Sequence, residues 1–107
     1  HVVRGSDIMP LTARQLSLYH EFEVTAPQFF HLPVISTAVG QKLSKQNHAP
    51  AININNPRPE LLKALQLLGL PVEDHSKLPH FSCSEILDWA IEHVDFKRLP
   101  TSQEIII

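Results

Sequence analysis

Between Asn56 and Gly69, Leu61, Leu65 and Leu68 recur at i, i+4 and i+7, with Leu62 beside them. That period gathers an apolar stripe on a helix, whereas a strand would scatter it over both faces. Asn56 is placed to cap the segment, Pro57 suits the first helical position, and Gly69 stands where a left-handed terminal cap belongs. Ser82-x-x-Glu85 reads as a capping box opening a second helix to about Val94, with Ile86, Leu87, Ala90, Ile91 and Val94 as its stripe. A loop of mixed charge over Pro71–Pro79 joins the two, which predicts an antiparallel helical pair. Glu85, Asp88 and Glu92 read as its solvated face.

The first half carries different signals. Val2 and Val3 precede Arg4-Gly5, which predicts a short buried strand over His1–Arg4. In open α/β sheets ligands gather at the carboxyl ends of strands, so Arg4 and Asp7 are expected to point into a crevice. There Arg4 can fork a carboxylate; the competing reading is a local Arg4–Asp7 salt bridge. A helix is expected over Thr12–Glu23, with Thr12 as N-cap and Gln15 completing a capping box. Tyr19 and His20 read as packing and surface residues. Pro27 ends that pattern, and Phe30–Ile35 reads as an extended segment that Pro33 makes irregular or edge-like. His31 within it is either a satisfied imidazole or a nucleotide contact. The tail, Lys97–Ile107, is either a docked strand or a frayed end.

Gly40-Gln-Lys-Leu-Ser-Lys-Gln-Asn-His48 is the densest run of phosphate-seeking groups in the chain. Lys42 and Lys45, with Ser44 between them, can grip a polyphosphate; on spacing alone they also read as surface lysines of a solvated turn. The 107 residues carry a formal charge of -2, which argues against a free-standing nucleic-acid binder driven by a basic field. The lone Cys83 excludes an intrachain disulfide and suits a reducing compartment. No apolar run is long enough to span a bilayer. His75, His80 and Cys83 can be drawn as zinc ligands, but their spacing lacks the two close pairs of a structural site. No glycine-rich phosphate loop is present.

His31-Leu-Pro-Val-Ile35 followed by Gly40 to Ile52 resembles the lysine signature loop, written KMSKS, of class I aminoacyl-tRNA synthetases of the glutamyl branch. Leu43 takes the place of the methionine. Gln46-Asn-His-Ala-Pro50 is similar to the glutamyl-Q tRNA(Asp) synthetases within that branch, and Arg4-Gly5-Ser6-Asp7 matches its Arg-Gly-x-Asp strand end. The resemblance implies a helix-rich α/β fold. Residues 1–55, with the loop 40–48, would be the second half of a Rossmann-type catalytic domain, and residues 56–107 a small α-helical subdomain. It implies a ligase that activates glutamate with ATP and magnesium and transfers it to queuosine of tRNA(Asp) in the cytoplasm, away from membranes. Lys45 and Lys42 would be catalytic and, with Ser44, ATP-binding. Arg4 would hold glutamate, and Asp7 would be the motif acid. Zinc is expected only in a region upstream of these motifs. The family's His-x-Gly-His-type motif does not occur in the chain. The expectation is therefore the carboxy-terminal part of such an enzyme, inactive alone, with too few residues after Lys45 for a large anticodon-binding region. The alternatives are a helical RNA- or partner-binding module derived from a synthetase, and a truncated ordinary glutamyl-tRNA synthetase.

Overall fold

The structure, a computed structural model, describes residues 1–107 and every side chain except that of Asn47. The chain divides into two compact units, one of residues His1–Ala49 with Thr101–Ile107, the other of Pro50–Pro100. The tail thus belongs with the amino-terminal residues, and the expected 55/56 division falls instead at 49/50 with a return at 101. The return is made by a docked strand.

In the first unit, β1 (Val2–Gly5) pairs in parallel with β2 (Phe29–Leu32), Val2 opposite Phe29 and Arg4 opposite His31. Parallel strands need a crossover, and α1 (Thr12–Glu21) supplies it after a 3-10 turn over Ser6–Leu11. The expected capping box at Thr12 does not form. Thr12 is already helical, the preceding Leu11 makes no side-chain cap, and the 3-10 turn feeds straight into the helix. The helix also stops short of the expected Glu23. Glu23 takes a left-handed φ of 53°, its amide bonds His20 O, and the Val24 amide bonds Tyr19 O. That is the terminal pattern usually built on glycine.

The single extended segment expected over Phe30–Ile35 is two strands. Pro33 offers no amide to a ladder, so pairing changes partner there. After it, β3 (Val34–Ser36) pairs in parallel with β4 (Glu104–Ile106), Val34 opposite Glu104. The described residues therefore form two two-stranded sheets in a small α/β unit.

The second unit holds α2 (Arg58–Leu67) and α3 (Cys83–His93). Leu65, Leu70, Leu78, Ile86, Trp89 and Ala90 form its buried core, with Leu61, Leu62, Leu68 and Val72 packed on it. The leucine stripe packs into this core as its period requires, but only Ile86, Ala90 and Val94 of the expected α3 stripe do; Leu87 and Ile91 are exposed, and Trp89, outside that stripe, is buried instead. Asn56 does not cap α2; Pro57 precedes the helix and accepts the Leu61 amide at 3.0 Å, while the Asn53 side chain takes the amides of Asn55 and Asn56. Gly69 ends α2 at φ 85°, with Leu70 N–H bonding Leu65 O and Gly69 N–H bonding Gln66 O. The Ser82–Glu85 capping box forms in full.

Candidate functional site

Strand β1 presents Val2 and Arg4 to the same side, because alternate residues of a strand share a face. On that side α1 contributes Gln15, Leu18, Tyr19 and Phe22, and β2 contributes Phe29, around a cavity of about 540 Å³. Arg4 Nε donates to His31 Nε2 at 3.0 Å, and Arg4 Nη2 donates to Thr12 Oγ1 at 2.7 Å. The guanidinium carbon lies 4.3 Å from the Phe29 ring centroid, within cation–π range. The Gln15 amide oxygen is buried and has no partner among the described residues.

Past Gly5 the backbone turns into the 3-10 segment and sends Asp7 elsewhere. A Cβ on Gly5 would collide with Asp7 Oδ1, so glycine at this position lets the carboxylate fold back against the strand end. Asp7 Oδ2 then meets Lys42 Nζ at 2.6 Å. This hydrogen bond and the lysine charge hold the Asp7 carboxyl below its ordinary range. The competing Arg4–Asp7 salt bridge does not form.

Lys42 is aimed there by a tight turn after β3. Leu43 N–H returns to Ile35 O at 2.8 Å, Thr37 N–H bonds Gln41 O at 3.0 Å, and Gly40 supplies the positive φ of 73°. The Glu104 carboxylate of β4 accepts the Gly40 amide at 3.2 Å. Ser6, Asp7, Ser36, Gly40, Lys42 and Glu104 line a second cavity of about 310 Å³. Ser44 is half-buried, and the exposed Lys45 opens a 3-10 turn over Lys45–Asn47.

The single crevice expected for Arg4 and Asp7 is thus two cavities, because strand alternation fixes Arg4 on the α1 side while the 3-10 turn carries Asp7 to the lysine loop. The structure brings Asp7 and Lys42 together. Arg4 lines a different cavity from Lys42. Thr12, Gln15 and Glu104 were not singled out as site residues by the sequence. Thr12 meets His31 and Glu104 meets Gly40 across long stretches of chain, the Gln15 amide oxygen has no partner among the described residues, and only the family-like Arg4 and lysine loop gave a local signal. In the second unit, His75 packs edge-on against Phe81 and Trp89, at 5.9 and 5.7 Å between ring centroids. Among the described residues, no three His, Cys, Asp or Glu side chains gather as a metal-binding group. No helix among them is long and apolar enough to cross a membrane.

Comparison with known proteins bears out the resemblance read from the motifs. The family described as tRNA synthetases class I (E and Q), catalytic domain, matches residues 1–98. A glutamyl-Q tRNA(Asp) synthetase of Vibrio parahaemolyticus is 44% identical over 104 residues, 97% of this chain and 35% of its own length. The protein of the same name from Salmonella typhimurium is 43% identical over 104 residues, 97% of this chain and 34% of its own. That of Pectobacterium atrosepticum is 39% identical over 104 residues, covering 97% and 32%. The chain therefore spans about a third of the length of the curated relatives it matches. A family match over residues 1–98 means that the chain belongs to the class I (E and Q) tRNA synthetases, within their catalytic domain.

Proposed function

We propose that this chain supplies the lysine loop and the glutamate-binding arginine of an ATP-dependent ligase, which activates glutamate and transfers it to queuosine of tRNA(Asp). Residues 1–49 with 101–107 are the later part of the Rossmann-type nucleotide-binding fold, and residues 50–100 a helical appendage. The family membership supports the use of ATP, an amino acid and tRNA. The names of the relatives support glutamate and tRNA(Asp).

The observation that carries the reading is the Lys42–Asp7 contact at 2.6 Å, which ties the lysine loop to the strand end that bears Arg4. In the activation step a glutamate carboxylate oxygen attacks the α-phosphorus of ATP and pyrophosphate leaves. Negative charge accumulates on the phosphate oxygens. A lysine that meets them then binds the transition state more tightly than the ground state, which is the condition for acceleration. Lys45 has this task. Lys42 assists by exchanging Asp7 for a phosphate oxygen, and Ser44 donates a further hydrogen bond. Asp7 holds Lys42 at rest. Arg4 grips a carboxylate of glutamate, and Gln15 lines the same cavity. Magnesium would enter as the ion accompanying ATP. A reaction that consumes ATP and tRNA belongs in the cytoplasm.

The test is glutamate transfer by the full-length protein to tRNA(Asp) with and without queuosine. Label retained only on the queuosine-containing tRNA is the expected result; equal labelling of both would overturn the acceptor. Lys45→Ala is expected to slow ATP–pyrophosphate exchange about 100- to 1,000-fold, the scale of losing one preorganised transition-state contact. An unchanged rate removes Lys45 from the chemistry.

A further inference from the structure

Arg4 is unusual in how it is held. A guanidinium carries five N–H donors. One, on Nε, goes to His31 Nε2 at 3.0 Å, and one on Nη2 goes to Thr12 Oγ1 at 2.7 Å. Thr12 Oγ1 and His31 Nε2 are themselves 3.2 Å apart. Because Arg4 donates to Nε2, that nitrogen is the unprotonated one, and the threonine hydroxyl donates to it as well. The three groups come from three elements. Arg4 and His31 stand opposite each other in the β1–β2 register, and Thr12 is the first residue of α1. Phe29 lies over one face of the guanidinium, its ring centroid 4.3 Å from the guanidinium carbon.

Every one of these partners is neutral or accepts as a neutral group. The acid three residues away, Asp7, is engaged by Lys42 instead. Arg4 is therefore fixed in direction while its charge stays uncompensated. Among the described residues, nothing engages Nη1 or the second hydrogen of Nη2, the edge whose two parallel N–H bonds match a carboxylate fork. An arginine held by an aspartate would be equally rigid but would have to surrender that partner to a substrate.

We infer that His31 and Thr12 are positioning residues, which orient the Arg4 guanidinium toward a carboxylate without neutralising it. The inference rests on the reading that Arg4 binds the amino-acid substrate. It assigns His31 neither of the roles weighed from sequence, core imidazole or nucleotide contact, and gives Thr12 a role other than capping.

The experiment is ATP–pyrophosphate exchange by the full-length protein, with KM for glutamate, KM for ATP and kcat measured separately. Arg4→Ala sets the scale, with a rise in glutamate KM of about 100-fold, the order expected for losing a buried charged contact. His31→Leu and the near-isosteric Thr12→Val are each expected to raise glutamate KM about 10-fold, with ATP KM and kcat within about twofold, as a loosened charged hydrogen bond would. His31→Gln, which keeps an acceptor, is expected to recover most of the loss. Adding His31→Leu to Arg4→Ala is expected to change nothing further, because the residue acts through the guanidinium. If Arg4→Ala impairs glutamate binding but Thr12→Val and His31→Leu do not, the positioning role is overturned and the substrate reading stands. The positioning role also falls if His31→Leu costs as much with Arg4 absent as present, since that is a packing effect. If Arg4→Ala leaves glutamate KM unchanged, both are overturned.

Discussion

Lys42 and Asp7 meet at 2.6 Å with side chains 45% and 34% exposed. A pair this well solvated contributes at most about 1 kcal/mol, so its value lies in where it parks the lysine. The pH dependence has a definite sign. The folded-state pKa of Asp7 lies below its ordinary value of 3.8, because the carboxylate accepts from Lys42. The pair's stabilisation is therefore complete above the ordinary value and is lost as pH falls through the lowered one. Asp7→Asn is expected to lower Tm by less than about 5 °C near neutrality, and by progressively less as the solution is acidified below pH ~4. Thermal unfolding of both proteins across that range checks it; a gap that stays constant into strong acid would place the effect in packing rather than charge. None of these pairings was legible from the sequence. Arg4 and Asp7 sit close together in the chain and invited a mutual salt bridge, yet each takes a partner from far away, His31 and Lys42. Strand alternation and the 3-10 turn decided between them, and neither leaves a local mark.

Where an element's ends are made by its own residues, the sequence is a good guide. Ser82 and Glu85 cap α3 reciprocally, Ser82 N–H to Glu85 Oε2 at 2.7 Å and Glu85 N–H to Ser82 Oγ at 3.2 Å. The first of these contacts also keeps the Glu85 carboxyl below its ordinary range. Ser82→Ala is expected to destabilise the protein by about 1 kcal/mol, and Ser82→Asp to retain most of the cap, in denaturant titrations read by helical signal. Gly69 likewise closes α2 where its position in the chain suggests. The caps expected at Thr12 and Asn56 failed for a shared reason. In each case the preceding backbone already supplied the ordering, a 3-10 turn before α1 and the Asn53 side-chain turn before α2. The division of residues 29–36 into β2 and β3 was only half legible. Pro33 announces a break in a ladder, but not that the two pieces pair with β1 and with the distant β4.

Apolar burial is divided unequally across the molecule. Leu78 and Ile86 are fully buried, and every residue of the hydrophobic core lies between Pro50 and Pro100. Among the described residues, the buried ones of the other unit are two serines, Ser6 and Ser36, while Val3, Phe22 and Phe30 remain 63%, 74% and 44% exposed. Hydrophobic burial is the main favourable term in folding, so the unit that carries Arg4 and the lysine loop is the less stabilised. Regions with few buried apolar contacts open at lower free-energy cost than core helices. Backbone amides of α2 and α3 are therefore expected to exchange with deuterium more slowly than those of β1 and β2 in this chain. Leu78→Ala, which removes a fully buried side chain, is expected to cost about 2–5 kcal/mol. It should erase the protection of α2 and α3 while leaving exchange in β1 and β2 nearly as before. Equal protection throughout, or loss of both in step, would mean that the chain opens as one cooperative body.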